Sequence, residues 1–179
     1  SPSDDVRPGS TGKKSAYMAS MKAAVMGVGK FAAGNLFVGK FVQIDGMGGI
    51  VDFGKPMKAV RPTGIRLWIK NNCGTINEGN HTTGIDLTKI FACVCNRTEP
   101  YRVNTNKEET LFNPTKAPGV IASTIYESTT SVSSWTEITM PFNYTDFVTE
   151  PNFFVFTLTC SGYGDYFTGR TQSWMYVDD

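Results

Sequence analysis

From Tyr17 to Asp178 the apolar residues of this chain come in short runs punctuated by glycine, proline and asparagine, and almost none recur at helical spacing. A helix needs apolar positions three and four apart over a long window, whereas a half-buried strand needs only simple alternation over roughly 4 to 8 residues. Met18 to Val25 is the one stretch with a weak helical period. Elsewhere the pattern is that of strands, and it is cleanest in Ile65-Arg-Leu-Trp-Ile-Lys70. There Ile65, Leu67 and Ile69 fall on one face and Arg66, Trp68 and Lys70 on the other. One face is core and the other is available.

Strands are expected at Tyr17 to Val25, Leu36 to Ile44, Gly49 to Phe53, Gly64 to Lys70, Thr88 to Cys95, Gly119 to Ile125, Thr136 to Phe142, Phe153 to Cys160 and Ser173 to Asp178. Their number and spacing predict an all-β fold, a two-sheet antiparallel sandwich. Phe153-Phe-Val-Phe-Thr-Leu-Thr-Cys160 is apolar on both faces at its start, as suits a strand in the middle of a sheet. Asn71 to Asp86 and Asn96 to Pro118 are rich in Asn, Thr, Gly and Pro and read as long loops, a class of segment that is often functional. Ser1 to Ser15 carries Pro2, Pro8, Gly9 and Gly12 without an apolar period. It reads as a linker or mobile entry segment, leaving 16–179 as a single domain.

The balance of charges excludes several functions. Lysine plus arginine number 17 against 16 for aspartate plus glutamate, a net charge of +1, so no broad basic face for nucleic acid is expected. No apolar run approaches the roughly 20 residues of a membrane span. A chain of 179 residues buries enough surface to need no metal or disulfide, and Cys73, Cys93, Cys95 and Cys160 are expected to remain unbridged. Zinc is unsupported, since His81 is the sole histidine. No signal peptide or lipid-anchor motif is visible, and composition alone does not give the compartment.

Trp68 stands beside Arg66 and Lys70 on the face opposite the core, where an indole can stack on the apolar face of a pyranose while charged neighbours bond its hydroxyls. Equally, it can lie beneath a loop with its N–H bonded to backbone. In the closing segment Tyr163, Tyr166, Phe167 and Trp174 gather among Gly162, Gly164 and Gly169, with Asp165 between two tyrosines. Asp165 can bond sugar hydroxyls, and Arg170 can take an anionic sugar or pair with Asp165. The same residues also suit a turn joining two sheets. Asp178, next to Asp179, is a candidate oxygen ligand for a structural calcium, although a full shell cannot be assembled. Glycoside hydrolysis needs two carboxyl groups across the scissile bond. Asp165, Glu137, Asp178, Glu127 and Asp86 are available, but none lies in a marking motif. His81 has no serine or cysteine motif beside it, so a triad is unsupported.

Several blocks then carry a family likeness: Phe31-Ala-Ala-Gly-Asn-Leu-Phe-Val-Gly39, Phe53-Gly-Lys-Pro56 with Arg61-Pro62, Ile65 to Lys70, Asp86 to Val94, Gly164-Asp-Tyr-Phe-Thr-Gly169 and Tyr176-Val-Asp-Asp179. In this order they resemble the putative carbohydrate metabolism domain family, PCMD, of secreted gut-bacterial proteins. The resemblance implies a jelly-roll sandwich similar to galactose-binding domains and carbohydrate-binding modules. It also implies an oligo- or polysaccharide partner, further domains in the full protein, and export to the periplasm, the outer-membrane surface or the medium. The function expected is non-catalytic glycan recognition, with a glycoside hydrolase or a structural spacer as alternatives. The ligand-contacting residues expected are Trp68, Arg66, Tyr163, Asp165, Tyr166, Arg170 and Trp174.

Overall fold

A computed structural model of the chain describes residues 1–25 and 28–179. Among them, sixteen strands and two short 3-10 turns are found, and every ladder is antiparallel. No helix among the described residues is long and apolar enough to cross a membrane. The first sheet runs β1 (Pro2–Ser3), β2 (Ser15–Ala19), β16 (Trp174–Asp178), β9 (Gly64–Asn72), β13 (Val132–Pro141). A middle sheet runs β14 (Asn143–Tyr144), β12 (Val120–Ser128), β10 (Thr88–Cys95), β15 (Phe153–Thr159), β5 (Asn35–Phe37), with β8 (Lys55–Pro56) also paired to β15. An outer sheet runs β11 (Tyr101–Asn104), β7 (Gly48–Phe53), β6 (Gly39–Asp45), and β3 (Met21–Val25) pairs with β4 (Val28–Ala32) as a hairpin.

The alternation of the middle sheet decides how these layers stack. Ile90 and Leu158 point to the first sheet and pack with Leu67, Ile69, Ile138 and Met175. Their neighbours in sequence, Phe91, Cys93, Cys95, Phe153 and Val155, point the other way and pack with Tyr101, Phe53 and Phe112. The expected sandwich is thus present as first sheet on middle sheet, and a third layer covers the middle sheet's other face. This explains why Ile90 to Cys95 is buried residue after residue. A strand covered on both faces reads as a continuous apolar run, and its larger side chains Ile90, Phe91 and Val94 contribute about 1.5–3 kcal/mol each when fully buried.

Two expected strands divide between layers. Tyr17 to Val25 breaks at Ser20, whose hydroxyl meets Ser161 Oγ at 2.7 Å and Cys160 Sγ at 3.3 Å. Before the break the chain belongs to the first sheet, after it to the hairpin, so the weak helical period there is strand on either side of Ser20. Leu36 to Ile44 breaks near Gly39, where β5 leaves the middle sheet and β6 enters the outer one. Gly39 has φ 153° and lies so close to the Asp52 carbonyl that a Cβ would collide with it.

The segment 1–15, expected as a linker, is laid across the outer face of the first sheet. Pro2 is in register with Ala16, and the Arg7 amide donates to Asp178 Oδ2 at 2.9 Å. The Asp5 carboxylate bonds the Lys70 ammonium and accepts from Trp135 Nε1 at 3.2 Å.

Candidate functional site

Between the middle and outer sheets lies a cavity of about 380 Å³, closed at one end by the hairpin and by the segment after Cys160. Seven phenylalanines reach its walls: Phe31, Phe37, Phe41, Phe53, Phe91, Phe112 and Phe167. Charged side chains are few, namely Lys30, Lys89 and Asp165. Lys30 Nζ stands 3.1 Å from the Phe167 ring centroid, and burial pulls its ammonium below the ordinary lysine range. Solvent reaches Asp165, yet surrounding protein crowds its carboxylate. Desolvation raises its pKa above the ordinary aspartate value, opposed by the Lys89 charge. Thr157 Oγ1, in the wall, is buried without a hydrogen-bond partner. Such an arrangement can hold a molecule that is mainly apolar and has one polar, charge-bearing end.

The closing segment is held in place by Asp86, a fully buried carboxylate outside the cavity walls. Its Oδ2 accepts from Ser161 Oγ at 2.5 Å, Ser173 Oγ at 2.9 Å and the Arg170 amide at 2.9 Å, and its Oδ1 accepts from the Leu87 amide at 2.9 Å. Between these anchors Gly164–Tyr166 form a 3-10 turn, and Phe167 follows at φ 52°, a left-handed conformation that directs its ring to the cavity. Tyr166 stacks on His81 with ring centroids 3.7 Å apart and planes 7° apart, tying the turn to the loop after β9.

The residues singled out from the sequence divide among three places. Asp165 reaches the cavity. Tyr163 and Tyr166 lie on the same turn but lean on His81, at 6.0 and 3.7 Å between centroids. Arg170 does not pair with Asp165; its guanidinium donates to Asn72 Oδ1 at 2.6 Å and to Gln172 Oε1 at 3.3 Å. Arg66, Trp68 and Trp174 belong to the face of the first sheet that looks away from the core, the far side of the molecule from the cavity. There the Arg7 guanidinium lies 5.4 Å from the Trp68 ring centroid. Trp68 and the closing turn therefore do not meet at one groove, because two sheets separate them.

Asp178 is buried beneath the same N-terminal segment. Besides Arg7, its carboxylate accepts from Ser10 Oγ at 3.4 Å and from the Asp179 amide at 3.0 Å. Proton donors converge on it where calcium would demand further oxygen ligands, so these residues do not fit the ion. Among the described residues no group of three or more His, Cys, Asp and Glu side chains is gathered as a metal shell requires. Of the cavity's lining, sequence reasoning singled out Asp165 and Phe167 and missed Lys30, Lys89 and the other six phenylalanines. Scattered from Phe31 to Phe112, those rings are indistinguishable from core residues until a third layer is known.

The model of the family described as PCMD, putative carbohydrate metabolism domain, matches residues 3–179. The chain belongs to this family. As a PCMD member it is a carbohydrate-metabolism-associated domain. Two solved structures resemble it, each a putative glycoside hydrolase. One, from Bacteroides thetaiotaomicron, has a TM-score of 0.69 at 19% identity over 97% of this chain and 54% of the other. The second, from Bacteroides vulgatus, has a TM-score of 0.69 at 19% identity over 98% of this chain and 74% of the other. The PCMD chain thus spans about half the length of the first structure, and likenesses at this identity establish the fold. No curated protein matches it.

Proposed function

We propose that this domain recognises a glycan-bearing ligand without cleaving it, and that the cavity between the middle and outer sheets is where it does so. The observation that supports this reading is the content of the walls. Aromatic rings are abundant, and Asp165 is the one carboxylate among the described residues that line the cavity. Glycoside hydrolysis requires a pair, roughly 5 to 10 Å apart. A single carboxylate near hydroxyls and Lys89, whose ammonium also pairs with Glu127 at 2.8 Å, suits hydrogen bonding to a bound sugar, and the rings suit its C–H faces. Isothermal titration against a panel of plant and host glycans tests the proposal, with saturable binding expected for at least one of them. No binding at concentrations reaching the millimolar range, about −4 kcal/mol, sinks it. Asp165→Asn is expected to weaken binding by about 1.5–3 kcal/mol, the worth of a charge-assisted hydrogen bond.

One observation favours cleavage as a second reading. A carboxyl group in a cleft with its pKa raised by desolvation is what a general acid requires, and Asp165 has that character. The solved structures that resemble the chain carry the name of that activity. Release of reducing ends from a polysaccharide, lost in Asp165→Asn, would establish it over pure binding.

A further inference from the structure

The cavity is amphipathic along a definite direction, and the strand register supplies that direction. Across the middle sheet Lys89, Thr159 and Asn35 form one row, since Lys89 pairs with Thr159 and Thr159 with Asn35. Two residues further along the same face the row is Phe91, Thr157 and Phe37. Both rows line the cavity. The first row lies at the end where Asp165 overhangs, and the Lys89 charge acts on that carboxylate. Beyond the second row the lining comes from the outer sheet and its loops and is mainly apolar, with Val51, Phe53, Val103 and Phe112, while the Thr105 hydroxyl there already bonds the Gly49 backbone. The strand β6 adds Phe41, which is 59% exposed, and Ile44, which is 69% exposed. Apolar side chains left this open beside an enclosed apolar space extend the lining outward from it.

A free polysaccharide presents hydroxyls along its whole length. Threaded into this cavity, it would leave most of them without partners beyond the first row, and a buried hydroxyl without a partner keeps the full cost of its lost hydration. A chain of methylenes or an aryl group loses nothing there and gains in proportion to the apolar surface removed from water. The geometry points to a ligand in which a sugar head carries an apolar aglycone. The head bonds Asp165, Lys89 and Asn35, and the aglycone lies between the middle and outer sheets against Phe53, Phe91 and Phe112. This inference rests on the recognition reading above and names the class of ligand for the same site.

The test uses three probes by isothermal titration on the full chain: n-octyl β-D-glucopyranoside and decanoate, both below their micelle concentrations, and methyl β-D-glucopyranoside, which forms no micelles. Octyl glucoside is expected to bind at least about tenfold more tightly than either of the others, the equivalent of 1.4 kcal/mol. Phe41→Asp and Ile44→Asp lie on an exposed edge strand and are expected to lower octyl glucoside affinity about tenfold with melting temperatures unchanged. Equal affinity for the two glucosides overturns the aglycone while leaving sugar recognition in place. Decanoate matching octyl glucoside, with no glycan bound, overturns the sugar head as well. Absence of saturable octyl glucoside binding alongside a glycan from the panel that binds also overturns the aglycone and spares the recognition reading.

Discussion

At the scale of single residues, Asp86 has the largest structural consequence. Four donors converge on a carboxylate fully out of water: the neighbouring Leu87 amide, Ser161 at one end of the closing segment, and Arg170 and Ser173 in the turn at its other end. Burying an anion is unfavourable unless each lone pair is used, and here the bonds also determine where Asp165 and Phe167 stand. Asp86→Ala leaves two hydroxyls and two amides without their acceptor, at about 1–3 kcal/mol for each buried group that finds no other. A loss of at least about 3 kcal/mol is therefore expected in chemical denaturation, with Asp86→Asn falling between it and the native chain. A loss under about 1 kcal/mol, the size of an ordinary surface change, would show that the closing segment is held by packing alone. Asp86 was visible in the sequence only as one acid among several, because nothing in Gly-Ile-Asp-Leu-Thr reveals that Ser161 and Ser173 will turn toward it. Asp165, by contrast, was legible at once: glycines on either side of an acid between two tyrosines announce a turn that exposes a carboxylate.

At the scale of elements, legibility followed the alternation. Thr88 to Cys95 was expected as a strand and is one over the same bounds, since eight residues in series carry the signal. Tyr101–Asn104 is only four residues long and sits in a stretch dominated by turn formers, so the element that creates the outer sheet was hidden inside an expected loop. The N-terminal segment was opaque for a different reason. Its contacts are charges and single rings, which have no period, yet Asp5 and Arg7 reach Lys70, Trp135, Asp178 and Trp68 across the first sheet. The bond from the Lys70 ammonium is the main cause that holds the Asp5 carboxyl below the ordinary aspartate value. A carboxyl whose folded pKa is lowered contributes stability above its unfolded pKa and loses it as pH falls through the folded value. Docking of the segment is therefore expected to be intact at neutral pH and to weaken on acidification below the ordinary aspartate range. Emission from Trp68 and Trp135 should shift in that window, and Asp5→Asn should abolish the shift attributable to docking. An Asp5→Asn protein that titrates like the native chain would assign the transition to another carboxylate.

At the scale of the whole molecule, three layers divide the chain into regions that need not open together. Cys93 and Cys95 face the outer sheet, whereas Cys160 lies in the core between the first and middle sheets. Burial raises the pKa of all three thiols, so the reactive thiolate is scarce at neutral pH while they stay covered. Cys73 is only half-buried. The outer sheet has three strands, one of them four residues long, and only part of its inner face rests on a packed cluster, the rest lying over the cavity. A layer with fewer buried contacts opens at lower free energy than the layers beneath it. Labelling with N-ethylmaleimide under native conditions, followed by mass spectrometry, is thus expected to modify Cys73 first. Cys93 and Cys95 should follow together as the outer sheet opens, and Cys160 should come last, at the rate of global unfolding. Octyl glucoside, if it occupies the cavity, should slow the second step and leave the first unchanged, because a ligand that binds only the closed layer stabilises it by mass action. Labelling of Cys160 at the same rate as Cys93 would mean that the three layers open as one cooperative unit, and a filled cavity would then protect all three buried thiols equally.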